Sequence, residues 1–379
     1  MNLYFAPMEG LTGYVYRNAH RACFGGVDKY FTPFLSPNQN HRFTAKEEKD
    51  VRPEHNEGIS LVPQILTNRA EDFIWAAGEM KARGYREVNL NLGCPSGTVV
   101  SKYKGAGFLA RQEALNRFLD QIFQEVDLEI SVKTRIGIAA PEEFPELMEI
   151  FNRYPIRELI VHPRLRTDFY KNTPDRESFG YAVKESSAPL CYNGDIFTEE
   201  AFRSAASRFP SVERVMLGRG LLANPALAER IRGIEEAPLT ASRLAAFHRA
   251  LYEGYRLAIP EERNVLFKMK EMWTYLICMF PEADRYGKKI KKAKSAGEYE
   301  AAVAALFRER EPAPRRDTGL PSEQFTKIFH FPHCNLPHYS VILFLNFCNG
   351  SDGGKLHIGC LSRYEFLPKG NAQEREDET

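Results

Sequence analysis

Excess charge of either sign is missing from this chain: 51 Lys and Arg stand against 50 Asp and Glu across 379 residues. Near-neutrality argues against a protein that coats nucleic acid with its whole surface, while leaving room for a local basic patch. Paired cysteines are missing too. The seven cysteines, at 23, 94, 191, 278, 334, 348 and 360, are odd in number, scattered and without a CxxC pair. That excludes a disulfide scaffold and fits reduced thiols. The longest apolar run, residues 339–348, reaches about half of the roughly 20 residues that a membrane helix requires. The opening Met1-Asn-Leu-Tyr-Phe-Ala-Pro7 has neither a basic n-region nor an apolar h-region. The expected compartment is therefore the cytoplasm, with no membrane partner and no obligate protein partner evident.

What is present reads as a globular α/β chain. Hydrophobic residues make up 43 % and charged residues 27 %, ordinary values for a packed protein. At roughly 100–200 residues per domain, the length points to two domains or to one large barrel with an appendage. Short β-branched or apolar runs at 3–6, 30–34, 61–66, 88–92, 129–134, 158–162, 189–193 and 214–217 read as strands. Helical periods lie between most of them. Residues 68–83 place Phe73, Ala76, Ala77 and Met80 on one face, and 112–126 do the same with Leu115, Phe118, Leu119 and Ile122. Asn68 and Thr198 are the expected N-caps. Eight strands alternating with helices predict a (β/α)8 TIM barrel, whose usual size is ~250 residues, over residues 1–235. A doubly wound sheet would want a GxGxxG turn after the first strand, where this chain has Ala6-Pro-Met-Glu-Gly-Leu-Thr-Gly13.

Beyond residue 238 the pattern changes. Residues 238–311 show helical spacing without a strand, as in Leu244, Phe247, Leu251 and Tyr255, and predict a small all-α helical domain of three or four helices. Arg285, Lys288, Lys289, Lys291, Lys292 and Lys294 crowd into ten residues with no acid among them. Residues 312–379 open with a Pro/Arg linker, turn Phe/His/Cys-rich and close on an acidic end. They have no clean periodicity and are expected to be a flexible tail. His330, His333, Cys334 and His338 have no regular paired-ligand spacing, so no metal site is expected there.

In a barrel the residues that end each strand line the active site. Here those ends carry Pro7, Met8 and Glu9, then Gln64, Asn89, Asn91 and Cys94. Lys133 and Arg135, His162 and Arg164, Asn193-Gly194-Asp195 and Gly218-Arg219-Gly220 follow. Polar side chains in register at strand ends are costly unless something polar fills the mouth. The last two clusters point to phosphate, because glycine lets backbone N–H groups approach closely and Arg219 adds a guanidinium. Lys133 lies on a strand whose neighbours Ile130 and Val132 mark it as buried. There it can pair with an anion or form a Schiff base. Cys94 sits in a Gly-Cys-Pro turn, followed by a mobile-looking loop at 102–107 that is able to close over a substrate.

These residues resemble the tRNA-dihydrouridine synthase family. The resemblance rests on Ala6-Pro-Met-Glu-Gly10, Asn89-Leu-Asn-Leu-Gly-Cys-Pro-Ser96, Lys104-Gly-Ala-Gly-Phe-Leu109 and Ser131-Val-Lys-Thr-Arg135. Val161-His-Pro-Arg164, Tyr192-Asn-Gly-Asp195 and Val215-Met-Leu-Gly-Arg-Gly220 complete it. It runs from residue 1 to about 310, and its specificity lies in the ordered set. It implies FMN in the barrel, with Pro7, Met8 and Glu9 passing the ring, Gln64 and Lys133 bonding its polar edge, and His162 near it. Asn193, Gly194, Asp195, Gly218 and Arg219 would hold the phosphate. It further implies NADPH as electron donor, a hydride from reduced FMN to C6 of a uracil in tRNA, and a proton from Cys94 to C5. A thiol with an ordinary pKa near 8.5 is mostly protonated at pH 7, as that role requires. The uracil must be flipped into the pocket, which needs a grip on the surrounding RNA. Arg285, Lys288, Lys289, Lys291 and Lys292 would supply it, with Asn89, Asn91, Arg135, Arg164 and Arg166 as further substrate contacts. The chain departs from many relatives in having Pro163, not glycine, between His162 and Arg164, and in its tail.

Two other enzyme readings use the same residues. A Schiff-base aldolase of a phosphorylated substrate would attack with Lys133, and a flavin oxidoreductase would act on a free pyrimidine. A non-catalytic RNA-binding barrel is the third alternative.

Overall fold

The computed structural model describes residues 1–234 and 239–313; most of the predicted tail lies outside them. Among the described residues nine strands form: β1 (Asn2–Phe5), β2 (Lys29–Phe31), β3 (Leu61–Val62), β4 (Gln64–Ile65), β5 (Glu87–Leu92), β6 (Glu129–Gly137), β7 (Leu159–Leu165), β8 (Leu190–Tyr192) and β9 (Arg214–Leu217). They are parallel in the order β3-β2-β1-β9-β8-β7-β6-β5-β4. Pro63 divides the third expected strand. Leu61 and Val62 pair with Tyr30 and Phe31 of β2, whereas Gln64 and Ile65 pair with Asn89 and Leu90 of β5. Proline has no N–H to give the ladder, but the Pro63 carbonyl accepts from Asn89 N at 2.8 Å. The two halves thus join the ends of the sheet, and the expected (β/α)8 barrel, followed by helices, is the fold.

The barrel interior is a separate apolar cluster of Tyr4, Phe31, Val62, Ile160, Cys191 and Met216 with Ala6, the side-chain layering that fills such barrels. Charged groups close it at the N-terminal end of the strands. Lys29 Nζ donates to Glu87 at 2.8 Å and Glu158 at 2.9 Å, and Tyr4 Oη donates to Glu158 at 2.9 Å. The opposite end stays open, and that is where the site lies.

Two strands run further than the sequence predicts. β6 continues past residue 134 to Gly137, and β7 past 162 to Leu165. Their register slips there, with Arg135 opposite His162 but Gly137 opposite Leu165. β7 therefore carries a bulge at Pro163-Arg164, where the missing proline N–H leaves the ladder anyway. The Pro163 carbonyl instead accepts from Asp175 N at 2.7 Å.

Among the helices, the predicted 68–83 is Ala70–Ala82, with Arg69 at the cap position. Asn68 does not cap it; its side chain donates to the Lys102 carbonyl at 3.0 Å. Thr198 does cap Glu199–Arg208, accepting from Ala201 N at 3.1 Å. The second amphipathic helix, Gln112–Glu125, buries Leu115, Phe118, Leu119 and Ile122 as its period requires. Past the barrel the described residues form four α-helices, Ala241–Ala258, Glu262–Leu276, Asp284–Lys292 and Ala296–Glu309. The first packs on Tyr14–Cys23. Phe247 stands edge-on to Tyr16 at 5.7 Å and Phe24 at 5.3 Å, and the backbone at Gly254 comes so near that an added Cβ would meet Val15 Cγ1 at 2.7 Å.

Candidate active site

The open end of the barrel holds a cavity that opens to solvent. Nine of the eleven residues marked for the cofactor come together in its wall. Pro7 and Met8 follow β1, Lys133 and His162 sit on β6 and β7, Asn193, Gly194 and Asp195 follow β8, and Gly218 and Arg219 follow β9. Tyr170, Phe197 and Met216 also line it. The first two escaped the sequence reading because loop residues obey no period. Met216 escaped because it reads as ordinary strand filling.

Charge in this wall is positive and largely desolvated. Burial pushes the Lys133 ammonium down to about 8, Arg135 pushes the same way, and Cys191 and Cys94 oppose them. Burial holds His162 well below the usual imidazole value, reinforced by Arg135, Arg164, Lys133 and Arg219, so the ring is neutral at pH 7. Asp195, at φ +33°, lies between two guanidiniums. Arg164 donates to it at 3.0 and 2.5 Å, and Arg219 at 2.6 Å. One carboxylate against two guanidiniums leaves this corner cationic.

Cys94 is part-buried on the turn after β5 and does not line the main cavity. Its backbone is gripped on all sides. Asn91 Oδ1 accepts from the N–H groups of Gly93 and Cys94, both at 3.0 Å. Arg135 Nε donates to the Gly93 carbonyl at 2.9 Å, and Ala106 N donates to that of Cys94 at 3.0 Å. Of the loop at 102–107, Lys102 and Tyr103 are exposed and Lys104 is half-buried, whereas residues 105–107 are buried at the start of a 3-10 turn. Gly105 has φ +56°, and a Cβ there would stand 2.9 Å from the Cys94 carbonyl oxygen.

Several predicted contacts take other roles. Glu9 is absent from the cavity wall; it pairs with Lys46 at 2.5 Å. Gln64 is absent too, bound in a chain of amides. Its Nε2 donates to Asn89 Oδ1 at 2.8 Å, and Asn91 Nδ2 donates to its Oε1 at 2.7 Å. Asn89 is fully buried and donates on to Ser131 Oγ at 2.9 Å, so it supports the Cys94 turn and cannot reach a macromolecule. Arg135 and Arg164 are each 1 % exposed and are spent on backbone carbonyls and Asp195, not on a docking surface. Arg166 lies beside the Phe169 ring, 5.6 Å from its centre. Arg285 is exposed but engaged by Glu309 at 3.1 Å. Lys288, Lys289, Lys291 and Lys292 are exposed along Asp284–Lys292. Among the described residues no group of three or more His, Cys, Asp or Glu is placed to hold a metal. The sequence motif His330, His333, Cys334 and His338 lies outside them.

The cavity fits a phosphate-bearing planar ligand. Glycine is required at its cationic corner, where a Cβ on Gly194 would stand 2.8 Å from Tyr192 Oη and one on Gly220 2.0 Å from the Ile196 carbonyl oxygen. Lys133 brings a buried cation that an anionic ring edge would stabilise. Fold and cavity together define a (β/α)8 barrel with a cationic mouth and a thiol on the neighbouring strand end.

The chain belongs to the dihydrouridine synthase (Dus) family, whose model matches residues 4–310. The tRNA-dihydrouridine(16) synthase of Cupriavidus necator is 26 % identical over 319 residues, covering 80 % of this chain and 97 % of that protein. That of Pseudomonas syringae pv. tomato is 27 % identical over 296 residues, 75 % of this chain and 92 % of the relative. The probable tRNA-dihydrouridine synthase 2 of Bacillus subtilis is 29 % identical over 231 residues, 59 % and 70 % of the two chains. Among the described residues no helix is long and apolar enough to cross a membrane.

Proposed function

We propose that this chain reduces the 5,6 double bond of specific uridines in tRNA to dihydrouridine, with FMN in the barrel mouth and NADPH as electron donor. The observation that carries the reading is that Lys133, His162 and the glycine-lined Arg219 corner wall a cavity at the barrel end where the fixed Cys94 turn also follows its strand, in a chain of this family. When bound, FMN supplies the hydride that adds to C6 of the uracil. Arg219 and the backbone at Gly194 and Gly218 would hold its phosphate. Lys133 would set a positive charge toward its polar edge. Neutral His162 would offer it a hydrogen bond without adding charge.

Cys94 gives its thiol proton to C5, completing saturation of the ring, and recovers a proton from solvent through its exposed side. Asn91 and Arg135 fix the turn so that the sulfur meets only one position of the base. The uracil reaches it flipped out of the tRNA, and the exposed lysines of Asp284–Lys292 grip the surrounding phosphates. A lowered ammonium pKa is also what a Schiff-base lysine requires, so borohydride trapping on Lys133 is the control for the aldolase reading.

Nucleoside mass analysis of tRNA from a deletion strain carrying the wild-type chain or Cys94→Ala tests the proposal. Dihydrouridine should return with the wild type. It should stay absent with Cys94→Ala, whose purified form keeps the yellow flavin spectrum and turns over roughly 10²–10⁴-fold slower. A colourless wild-type protein that rejects added FMN defeats the proposal.

A further inference from the structure

Residues 166–172 leave β7 and carry Tyr170 into the cavity wall. Their backbone is fastened to two nearly wholly buried guanidiniums. Arg135 donates to the carbonyls of Leu165 and Phe169, both at 2.8 Å, and Arg164 Nε donates to that of Asn172 at 2.8 Å. Asp168 ties the segment to itself, accepting from Leu165 N at 2.8 Å and from Asn172 Nδ2 at 2.5 Å. Phe169 sits at φ +51°, a left-handed conformation that a bulky residue keeps only when its surroundings enforce it. The enforced turn delivers the next ring. Tyr170 stands 4.7 Å from the Arg219 guanidinium, 5.5 Å from that of Arg135 and 6.1 Å from the His162 ring.

We propose that residues 166–172 are a fixed strap, with the Tyr170 ring closing the phosphate end of the cavity and slowing release of a phosphorylated cofactor. The inference rests on the reading that the cavity takes FMN. Arg219 is the group that meets the phosphate, and the Tyr170 ring covers it. An aromatic face over a guanidinium keeps water from the ion pair that a phosphate would make, and in that drier setting the pair is stronger. Charged donors on main-chain carbonyls make the strap costly to lift. The ring does this work, not its hydroxyl.

The test uses the full-length protein loaded with FMN or with riboflavin, which lacks the phosphate, and follows flavin fluorescence on dilution. Tyr170→Ala and Tyr170→Leu should release FMN roughly tenfold faster than wild type. Their release of riboflavin should be unchanged, and Tyr170→Phe should hold FMN as the wild type does. Unaltered FMN release in Tyr170→Ala and Tyr170→Leu overturns the strap. So does equal acceleration for both flavins, which would place the ring over the isoalloxazine or reflect general damage to the fold. A wild-type protein that retains neither flavin removes the cofactor reading itself, and the strap with it.

Discussion

Single residues in the mouth were chosen for charge and for shape, and each choice has a measurable consequence. Lys133 loses its proton near pH 8 because burial and Arg135 disfavour the ammonium. An anionic ligand beside it favours the charged form, so binding takes up a proton above that pH. FMN affinity should therefore hold steady below pH 8 and fall by up to roughly tenfold per pH unit above it. Lys133→Met should bind more weakly and lose that slope. Fluorescence titrations at pH 7 and 9 check both statements; a slope that survives in Lys133→Met assigns the titration to another group. Shape matters most at Gly105. Alanine there faces both φ +56° and a 2.9 Å approach to the Cys94 carbonyl, so Gly105→Ala should displace the thiol. Turnover should drop at least tenfold with FMN content unchanged, as single-turnover kinetics on spectrally matched samples would show. Asn91 reads in the sequence as a substrate contact; nothing in its letters says that its oxygen is spent on two backbone N–H groups.

Elements were more legible than the contacts between them. The short apolar runs found every strand because a strand buried on both faces reads as a continuous hydrophobic stretch. Residues 61–66 gave no sign that Pro63 would split them between two neighbours, since pairing partners lie far away in sequence. The extra length of β6 and β7 was hidden for a related reason. Arg135, Pro163 and Arg164 look like loop residues, and only buried partners for the two guanidiniums let the ladder continue through them. The helical segment was visible from its period, but its grip on the barrel was not. Lys268 of Glu262–Leu276 donates to the Gly10 carbonyl, in the loop that brings Pro7 and Met8 to the cavity. Gly10 has φ +75°, in a turn that Leu11 N and Thr12 N already close on the Met8 carbonyl at 3.0 and 3.1 Å, and this bond ties that turn to the helix. Replacing Lys268 by Met should lower kcat/KM for tRNA by roughly tenfold, the loss of one charged hydrogen bond, while FMN stays bound. An unchanged kcat/KM would show that the loop keeps its place without the helix.

At the scale of the molecule, barrel and helices share one continuous hydrophobic core, and the seam between them is centred on Phe247, which is fully buried among Tyr16, His20 and Phe24. Two bodies joined in this way should melt together. Calorimetry should record a single transition, and Phe247→Ala, at a cost of about 3–5 kcal/mol, should lower that transition without splitting it. A rigid seam also dictates what the basic helix can do. Lys288, Lys289, Lys291 and Lys292 are presented at a fixed offset from the Cys94 turn, so under the proposed function the phosphates they hold would select which uridine arrives there. Charge in Asp284–Lys292 is not uniform, however. Arg285 already lies on the Tyr286 ring, 4.6 Å from its centre, and pairs with Glu309. Replacing the four lysines by Gln should weaken tRNA binding and shrink the slope of log affinity against log salt by roughly 0.7–0.9 for each phosphate that is no longer neutralised. Arg285→Gln should leave that slope in place. Were Arg285→Gln to reduce the slope as much as a lysine does, the ion pair with Glu309 would have to open on RNA, and the face that meets the tRNA would extend to the start of this helix.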